Sequence, residues 1–399
     1  MVEAVSRHGF ASTTIRELVT LAGVSKSTFY DHFESKEACF LSAFDDIVAQ
    51  VTEDVASAYR QGEDPQERLP SALRRVMEIV TERPEAIAFV TVDSLTLGEA
   101  AVLRREAAWQ PFEAMSRRYF EDVEPGAAIS DLTNRAIVAG LTGVIYRRLR
   151  SGRQDDLPSL VEPLVEWMRS YATSESDVVR RAATAAEQPI RLPSGSASAE
   201  QVPWGEPPDS SLSRSTLSQR ERIVRAAARV VIERGFDGLS IPAISAAAGT
   251  SNQTFYENFK SKRDPFLEAY EGLSETALRV SSAPLEGGES PEAIGTALRT
   301  LTEYIAGNPI YARLAFFELQ TAGSPALDRA DKTMDLLISV LAPDSPESIG
   351  GTAPRPALEA TAAGIWFVIQ REVGHGRARE LPDKAPELAR ITLAPLDAG

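Results

Sequence analysis

Two twelve-residue stretches hold the side chains best suited to an intermolecular contact. The first, Ser25 to Lys36, reads S-K-S-T-F-Y-D-H-F-E-S-K, and the second, Ser251 to Lys262, reads S-N-Q-T-F-Y-E-N-F-K-S-K. Each opens on small polar or cationic side chains, places a phenol near its centre (Tyr30, Tyr256) and closes on a lysine (Lys36, Lys262). Such groups hydrogen-bond to base edges and pair with phosphates, and none of them is arranged to break a covalent bond. The bland alternative is a solvated helix face. The sequence contains no G-x-S-x-G, no Walker loop and no G-x-G-x-x-G, so no enzyme activity is expected. One cysteine, Cys39, and three histidines, His8, His32 and His375, rule out an internal disulfide and make a Cys- or His-rich metal site unexpected. No metal or cofactor is therefore expected.

The two stretches belong to a longer repeat. Residues 9–44 align without a gap to 235–270, pairing Gly9 with Gly235, Phe10 with Phe236, Gly23 with Gly249, Ser25 with Ser251, Phe29 with Phe255 and Phe33 with Phe259. Weaker matches follow: Pro84 to Arg104 with Pro309 to Arg329, and Gly140 to Pro158 with Gly364 to Pro382. Each copy thus comprises a small front module and a larger rear one. Residues 186–213, with five prolines, six serines and two glycines, cannot build a core and read as a linker. The expected domains are 1–44 and 216–264 (front modules), 45–175 and 265–399 (rear modules) and a linker over 176–215.

The elements that must hold the polar stretches are short helices. In the second copy Ser218 to Arg234 carries Ile223, Ala227, Val230 and Val231 at helical spacing, and Gly235 is expected to end the helix as a left-handed cap. In the first copy Thr14 and Glu17 have capping-box spacing and start a second helix, whose apolar face is Ile15, Leu18, Val19 and Ala22. Gly23 makes the turn, and Ser25 caps a third helix that points Phe29 and Phe33 inward. Two helices on a glycine turn form a helix-turn-helix, and seeing the pattern twice at one offset makes it a strong signal. The counterpart of Ser218 in the first copy falls about nine residues before Met1, so its first helix is expected to be cut in half, with the true start expected upstream or the module weakened.

The net charge of −15 at first argues against a nucleic-acid partner, but the local field at the contact decides. Residues 1–37 hold four Lys/Arg and five Asp/Glu, a net of −1, whereas 227–263 hold five and three, a net of +2. The run Arg214 to Arg222 is expected to extend the second footprint as a basic arm, with a solvated linker end as the alternative. Apolar stretches such as Ile365 to Ile369 are far shorter than the ~20 residues of a membrane span, and Glu3, Arg7 and His8 occupy the place of a signal peptide's apolar run. No membrane partner and a cytoplasmic location are expected.

The repeated T-F-Y-x-x-F-x-S-K block resembles the recognition segment of TetR-family transcription factors, closely over both front modules and more loosely over both rear ones. The resemblance implies an all-α protein with two helix-turn-helix modules, each followed by a helical ligand-binding and dimerisation module. It implies double-stranded operator DNA as partner, a small-molecule effector that releases it, and a repressor role. By position, Arg16, Lys26, Ser27, Thr28 and His32 would approach bases or nearby phosphates, while Tyr30 and Lys36 would hold phosphates. The matching positions are Pro242, Asn252, Gln253, Thr254 and Asn258, with Tyr256 and Lys262 as phosphate ligands. Unlike base-facing sets imply unlike half-sites. A ligand-sensing or protein-interaction module without DNA binding is the alternative.

In the rear modules, helices starting at Pro84, Thr133 and Leu157, and over Ala357 to Val373 and Pro382 to Leu393, are expected from their apolar spacing. The family resemblance implies that the last two helices of each rear module pair with a partner's. That partner is either the other half of the chain, an intramolecular pseudo-dimer, or a second chain, a homodimer. A 28-residue flexible linker spans roughly 30 Å at ~5–6 Å × √n, close to the ~34–36 Å between half-sites one turn apart. An effector pocket would be lined by Phe89, Trp109, Phe112, Met115 and Tyr119 in one copy, and by Tyr304, Phe316, Phe317 and Trp366 in the other, although core filling explains most of them. Asp93 and Glu318 fall at matching positions inside apolar helices. A buried carboxylate needs a partner, expected to be an arginine or an amide linking rear to front module, with a cationic ligand as the lesser option.

Overall fold

A computed structural model describes residues 1–97, 99–123, 129–172, 176–190, 218–288, 290–341 and 353–397. Among them every regular element is a helix, the all-α architecture that the repeat implied. The chain forms two units: Met1–Ser174 together with Pro354–Gly364, and Glu175–Ala353 together with Ile365–Gly399.

The first unit begins with α1 (Val2–Ser12), α2 (Ile15–Ala22) and α3 (Lys26–His32). Their ends follow from local chemistry. Thr14 Oγ1 accepts the Glu17 amide at 3.2 Å, and Ser25 Oγ accepts the Thr28 amide at 3.0 Å, so each cap satisfies an amide that the first helical turn leaves unpaired. Gly23 turns the chain at φ +67°, where a Cβ would strain the backbone. Ala4, Leu18 and Phe29 form the module's core, with Ile15, Val19 and Phe33 packed around it. Phe10 meets Phe40 edge-on at 5.2 Å, and Phe40 stacks on Phe89 at 3.9 Å, which carries the core into the rear module.

The rear module of this unit comprises α4 (Lys36–Gln61), α5 (Pro65–Glu82), α6 (Pro84–Thr91), α7 (Glu99–Val123), α8 (Asp131–Arg150) and α9 (Val161–Arg169). A segment of the second sequence copy also packs here, against α8. A Cβ on Gly140 would lie 2.5 Å from the Ala360 carbonyl oxygen, and one on Gly364 would lie 2.6 Å from that of Ala136. Gly140 matches Gly364 in the repeat and Ala136 matches Ala360, so the two approaches are reciprocal. Trp167 Nε1 donates to Thr361 Oγ1 at 2.9 Å in the same contact, and the buried Arg148 and Glu359 pair at 2.9 Å.

The second unit contains α10 (Asp177–Glu187), α11 (Gln219–Arg234), α12 (Ile241–Ala248), α13 (Asn252–Asn258), α14 (Arg263–Ser282) and α15 (Pro291–Gly307). There follow α16 (Pro309–Arg313), a π-turn over Leu314–Glu318, α17 (Leu319–Thr321), α18 (Ser324–Leu341), α19 (Arg355–Gly374), which also supplies the 355–364 segment of the first unit, and α20 (Leu381–Asp397). Ser218 and Glu221 close a full capping box on α11, and the Ser218 amide holds the Glu221 carboxyl below the usual carboxylate range. α11 is 16 residues long, against 11 for α1, whose helix is broken at Gly9.

Two features differ from expectation. The linker expected over 176–215 begins with a helix: Ser176 caps α10, whose Ala182, Ala183 and Ala186 are buried against α15 and α20. Their small side chains allow close approach, and a Cβ on Gly295 would fall 2.0 Å from the Ala182 carbonyl oxygen. The remainder of the linker and the start of the basic arm, including Arg214, lie outside the described residues. Gly235 is not a left-handed helical cap: at φ 71°, ψ 169° it occupies a region open almost only to glycine, as does Gly9 at φ 75°, ψ 160°.

Candidate nucleic-acid interface

α3 and α13 present one face inward and one outward. Phe29 and Phe255 are buried, and the Tyr30 and Tyr256 rings stand edge-on to them at 5.5 and 5.7 Å, with 51% and 61% of their surfaces exposed. A half-exposed phenol anchored on a buried phenylalanine is a rigid donor with little rotamer entropy left to lose. Arg16, Lys26, Ser27 and His32 are exposed around Tyr30, as are Pro242, Asn252 and Gln253 around Tyr256. Gln253 Nε2 is held by Glu257 Oε1 at 3.1 Å.

Other residues of the expected set are turned inward. The Thr28 and Thr254 hydroxyls lie 2.9 and 3.0 Å from those of their cap serines, Ser25 and Ser251. Asn258 Nδ2 donates back to the Thr254 carbonyl at 2.8 Å. Lys36 and Lys262 depart furthest from the expected phosphate role. Lys36 Nζ donates to the carbonyls of Phe10 at 2.8 Å and Thr13 at 3.0 Å, and Lys262 Nζ to those of Phe236 at 3.3 Å and Leu239 at 2.8 Å. Each ammonium also lies over the Phe10 or Phe236 ring, at 4.2 and 5.0 Å. The lysine therefore ties the start of the fourth helix to the corner between the first two. A phosphate would have to compete with two carbonyls and a ring.

Sequence reasoning missed one clamp. In the second module Arg220 Nη1 donates to the Asn258 carbonyl at 2.9 Å, its guanidinium covers Phe259 at 4.2 Å, and it pairs with Glu268. The first helix of that module thus holds the last turn of the recognition helix. The only signal was the basic character of the segment, which pointed to DNA rather than to the module's own backbone.

Behind the modules lie the two matching carboxylates. Glu318 Oε2 accepts the buried Phe236 amide at 2.8 Å, which joins the rear module of the second unit to its front module, and Oε1 takes Nε of Arg313, on the rear module itself, at 3.1 Å. Asp93, next to α1 in the first unit, meets no cation or amide among the described residues, and burial pushes its carboxyl up to about 6.

A cavity of about 160 Å³ lies among α4 to α9 of the first unit. Of the expected pocket residues, Trp109, Phe112 and Met115 line it, whereas Phe89, Asp93 and Tyr119 do not. Tyr119 is buried, with its hydroxyl accepting from Arg169 Nε at 3.1 Å. In the second unit Phe316 packs on Trp366 at 4.5 Å and Tyr304 on Tyr311 at 5.6 Å, while Phe317 lies against Gly374, so these rings fill space together. Among the described residues no three His, Cys, Asp or Glu side chains gather as a metal site, and no helix is long and apolar enough to cross a membrane.

Two short helices on a glycine turn, the second with a buried aromatic side and an exposed polar side, define a helix-turn-helix of the DNA-reading class, present here twice. The sequence model described as bacterial regulatory proteins, tetR family, matches residues 2–43 and 223–269, one match per module. The chain is also similar to the uncharacterized HTH-type transcriptional regulator YerO of Bacillus subtilis (strain 168), at 30% identity over 101 residues, 24% of this chain. The matched stretch spans 33% of that relative's length. The chain therefore carries two TetR-type helix-turn-helix modules, and these matches bear on those modules.

Proposed function

We propose that this protein is a cytoplasmic repressor that grips duplex operator DNA through α3 and α13, reads two unlike half-sites with one chain, and lets go when a small molecule enters its helical modules. The observation that carries the reading is the pair of outward faces around Tyr30 and Tyr256, built on the same buried Phe29/Phe255 scaffold but with different neighbours. Arg16 and Lys26 on one face have Pro242 and Asn252 as counterparts on the other, so the two faces favour different base edges. The reciprocal Gly140–Ala360 and Gly364–Ala136 approaches support pairing of the two sequence copies within one chain, since an intramolecular contact joins equivalent positions as a two-fold would.

The test is anisotropy of labelled duplexes from the gene's own upstream region. Saturable binding is expected, weakening about a thousand-fold between 50 and 200 mM salt if six or more phosphates are engaged. No binding to any such duplex, or binding indifferent to salt, would leave the modules as protein-interaction elements.

A further inference from the structure

The effector reading leaves open what the first unit's cavity takes, and its walls narrow the answer. Among the described residues no lining side chain is charged, and the polar ones are few. Two of these are already occupied: Thr91 and Thr142 donate back to the Ile87 and Val138 carbonyls at 2.7 and 2.9 Å. Ser116 is different. It is 2% exposed, the residue lines the cavity, and among the described residues its hydroxyl, itself covered, has no hydrogen-bond partner. A helical serine ordinarily bonds back to its own preceding turn, whereas this buried hydroxyl is left unbonded beside apolar walls, and a turn about χ1 is what brings it to a guest. The remaining wall is soft and aromatic, with Trp109, Phe112 and Met115 on the same helix as Ser116.

Size sets a second limit. An apolar cavity near 150 Å³ holds a benzene-sized guest, and this one measures about 160 Å³. Charge sets a third. An ion entering this cavity would lose its hydration with no opposite charge in the lining, a cost that a neutral molecule avoids. The Arg105 guanidinium lies 5.7 Å from the Trp109 ring but does not line the cavity.

We infer that the first unit binds an uncharged, single-ring-sized apolar molecule bearing one hydroxyl or carbonyl, which hydrogen-bonds to Ser116. This rests on the reading of the helical modules as effector domains, but concerns the ligand's chemistry and not its effect on DNA.

Calorimetric titration of the full chain, without DNA, separates the two. The probes are 4-propylphenol, propylbenzene and 4-propylbenzoate. 4-Propylphenol should bind about ten-fold more tightly than propylbenzene, and the benzoate should not bind measurably. Ser116→Ala should erase the difference between phenol and hydrocarbon while leaving propylbenzene affinity unchanged and the urea midpoint no lower, since it removes a buried hydroxyl without a partner. Ser116→Thr, which keeps a hydroxyl, should retain part of the preference. Benzoate binding best, an undiminished phenol preference in Ser116→Ala, or no binding of any probe at millimolar concentration would overturn the inference. An anisotropy titration of the DNA complex with 4-propylphenol reads the effector role separately: binding without DNA release would retire that role and leave the ligand assignment standing.

Discussion

Tyr256 and Lys262 stand six residues apart, as Tyr30 and Lys36 do in the first repeat, yet the structure gives them different work. The Tyr256 hydroxyl stands in the open on a ring fixed by Phe255, whereas two of the three Lys262 N–H donors are spent on the Phe236 and Leu239 carbonyls. Tyr256→Phe keeps the ring and removes the hydroxyl. It should weaken DNA binding by about 1 kcal/mol, uniformly across operator variants, with no loss of stability. Lys262→Met keeps the stem and removes the charge. It should lower the unfolding free energy by about 1–3 kcal/mol in urea, because two carbonyls lose charge-assisted donors. If Lys262→Met instead reduced the salt dependence of binding by about one ion while leaving the urea midpoint in place, the lysine would return to the phosphate role that its position suggested.

At the scale of elements, much of the front module is written in short-range code. Ser25 and Gly23 do what capping and turn chemistry predict, and Thr14 caps the Glu17 amide, although the Glu17 carboxylate turns to His8 and leaves the capping box half made. What escaped sequence reading depends on distant partners. The alanines of α10 adjoin a proline- and serine-rich stretch, and only Gly295, more than a hundred residues on, makes them a packing face. The π-turn before α17 frees the Phe316 carbonyl for Gln370 Nε2 at 2.7 Å, a contact that no local pattern encodes. The matching carboxylates were legible as a need for partners, but not as an inequality. Glu318 reaches an arginine and an amide; Asp93 is one methylene shorter and has Ala88 where Arg313 stands in the second copy. With its carboxyl raised to about 6 from 3.8, Asp93 binds its proton more tightly in the folded than in the unfolded chain. Its penalty is therefore absent below pH 4, grows as pH rises towards 6 and is complete above it. Asp93→Asn should be more stable than the parent at pH 7, and the gap should close as pH falls to 4. Parallel stability curves for the two proteins over pH 4 to 7 would remove Asp93 from the account.

For the whole molecule, the decisive question is which copies pair, and the charges on α8 and α19 bear on it. Arg148 meets Glu359 at 2.9 Å, both almost wholly buried. The repeat places Glu372 opposite Arg148 and Arg135 opposite Glu359 in the alignment, so both positions change sign between copies. If two first copies paired through this face, Arg148 would confront Arg135. If two second copies did, Glu372 would confront Glu359. Only first with second brings unlike charges together, and a like-charge clash discourages the wrong partner as strongly as the ion pair favours the right one. Sign reversal between the copies thus favours first-with-second pairing, on one chain or between two. Arg148→Glu should cost about 3–5 kcal/mol, since it leaves Glu359 buried beside a second carboxylate. Glu359→Arg should cost a similar amount for the mirrored reason, and Arg148→Glu with Glu359→Arg together should recover most of the loss. Light scattering should return 43.2 kDa for the parent and for the double swap. Twice that mass would move the same contact between two chains. Single variants as stable as the parent, or a double swap no better than the worse single, would show that the glycine approaches alone hold the helices together and that charge takes no part in choosing the partner.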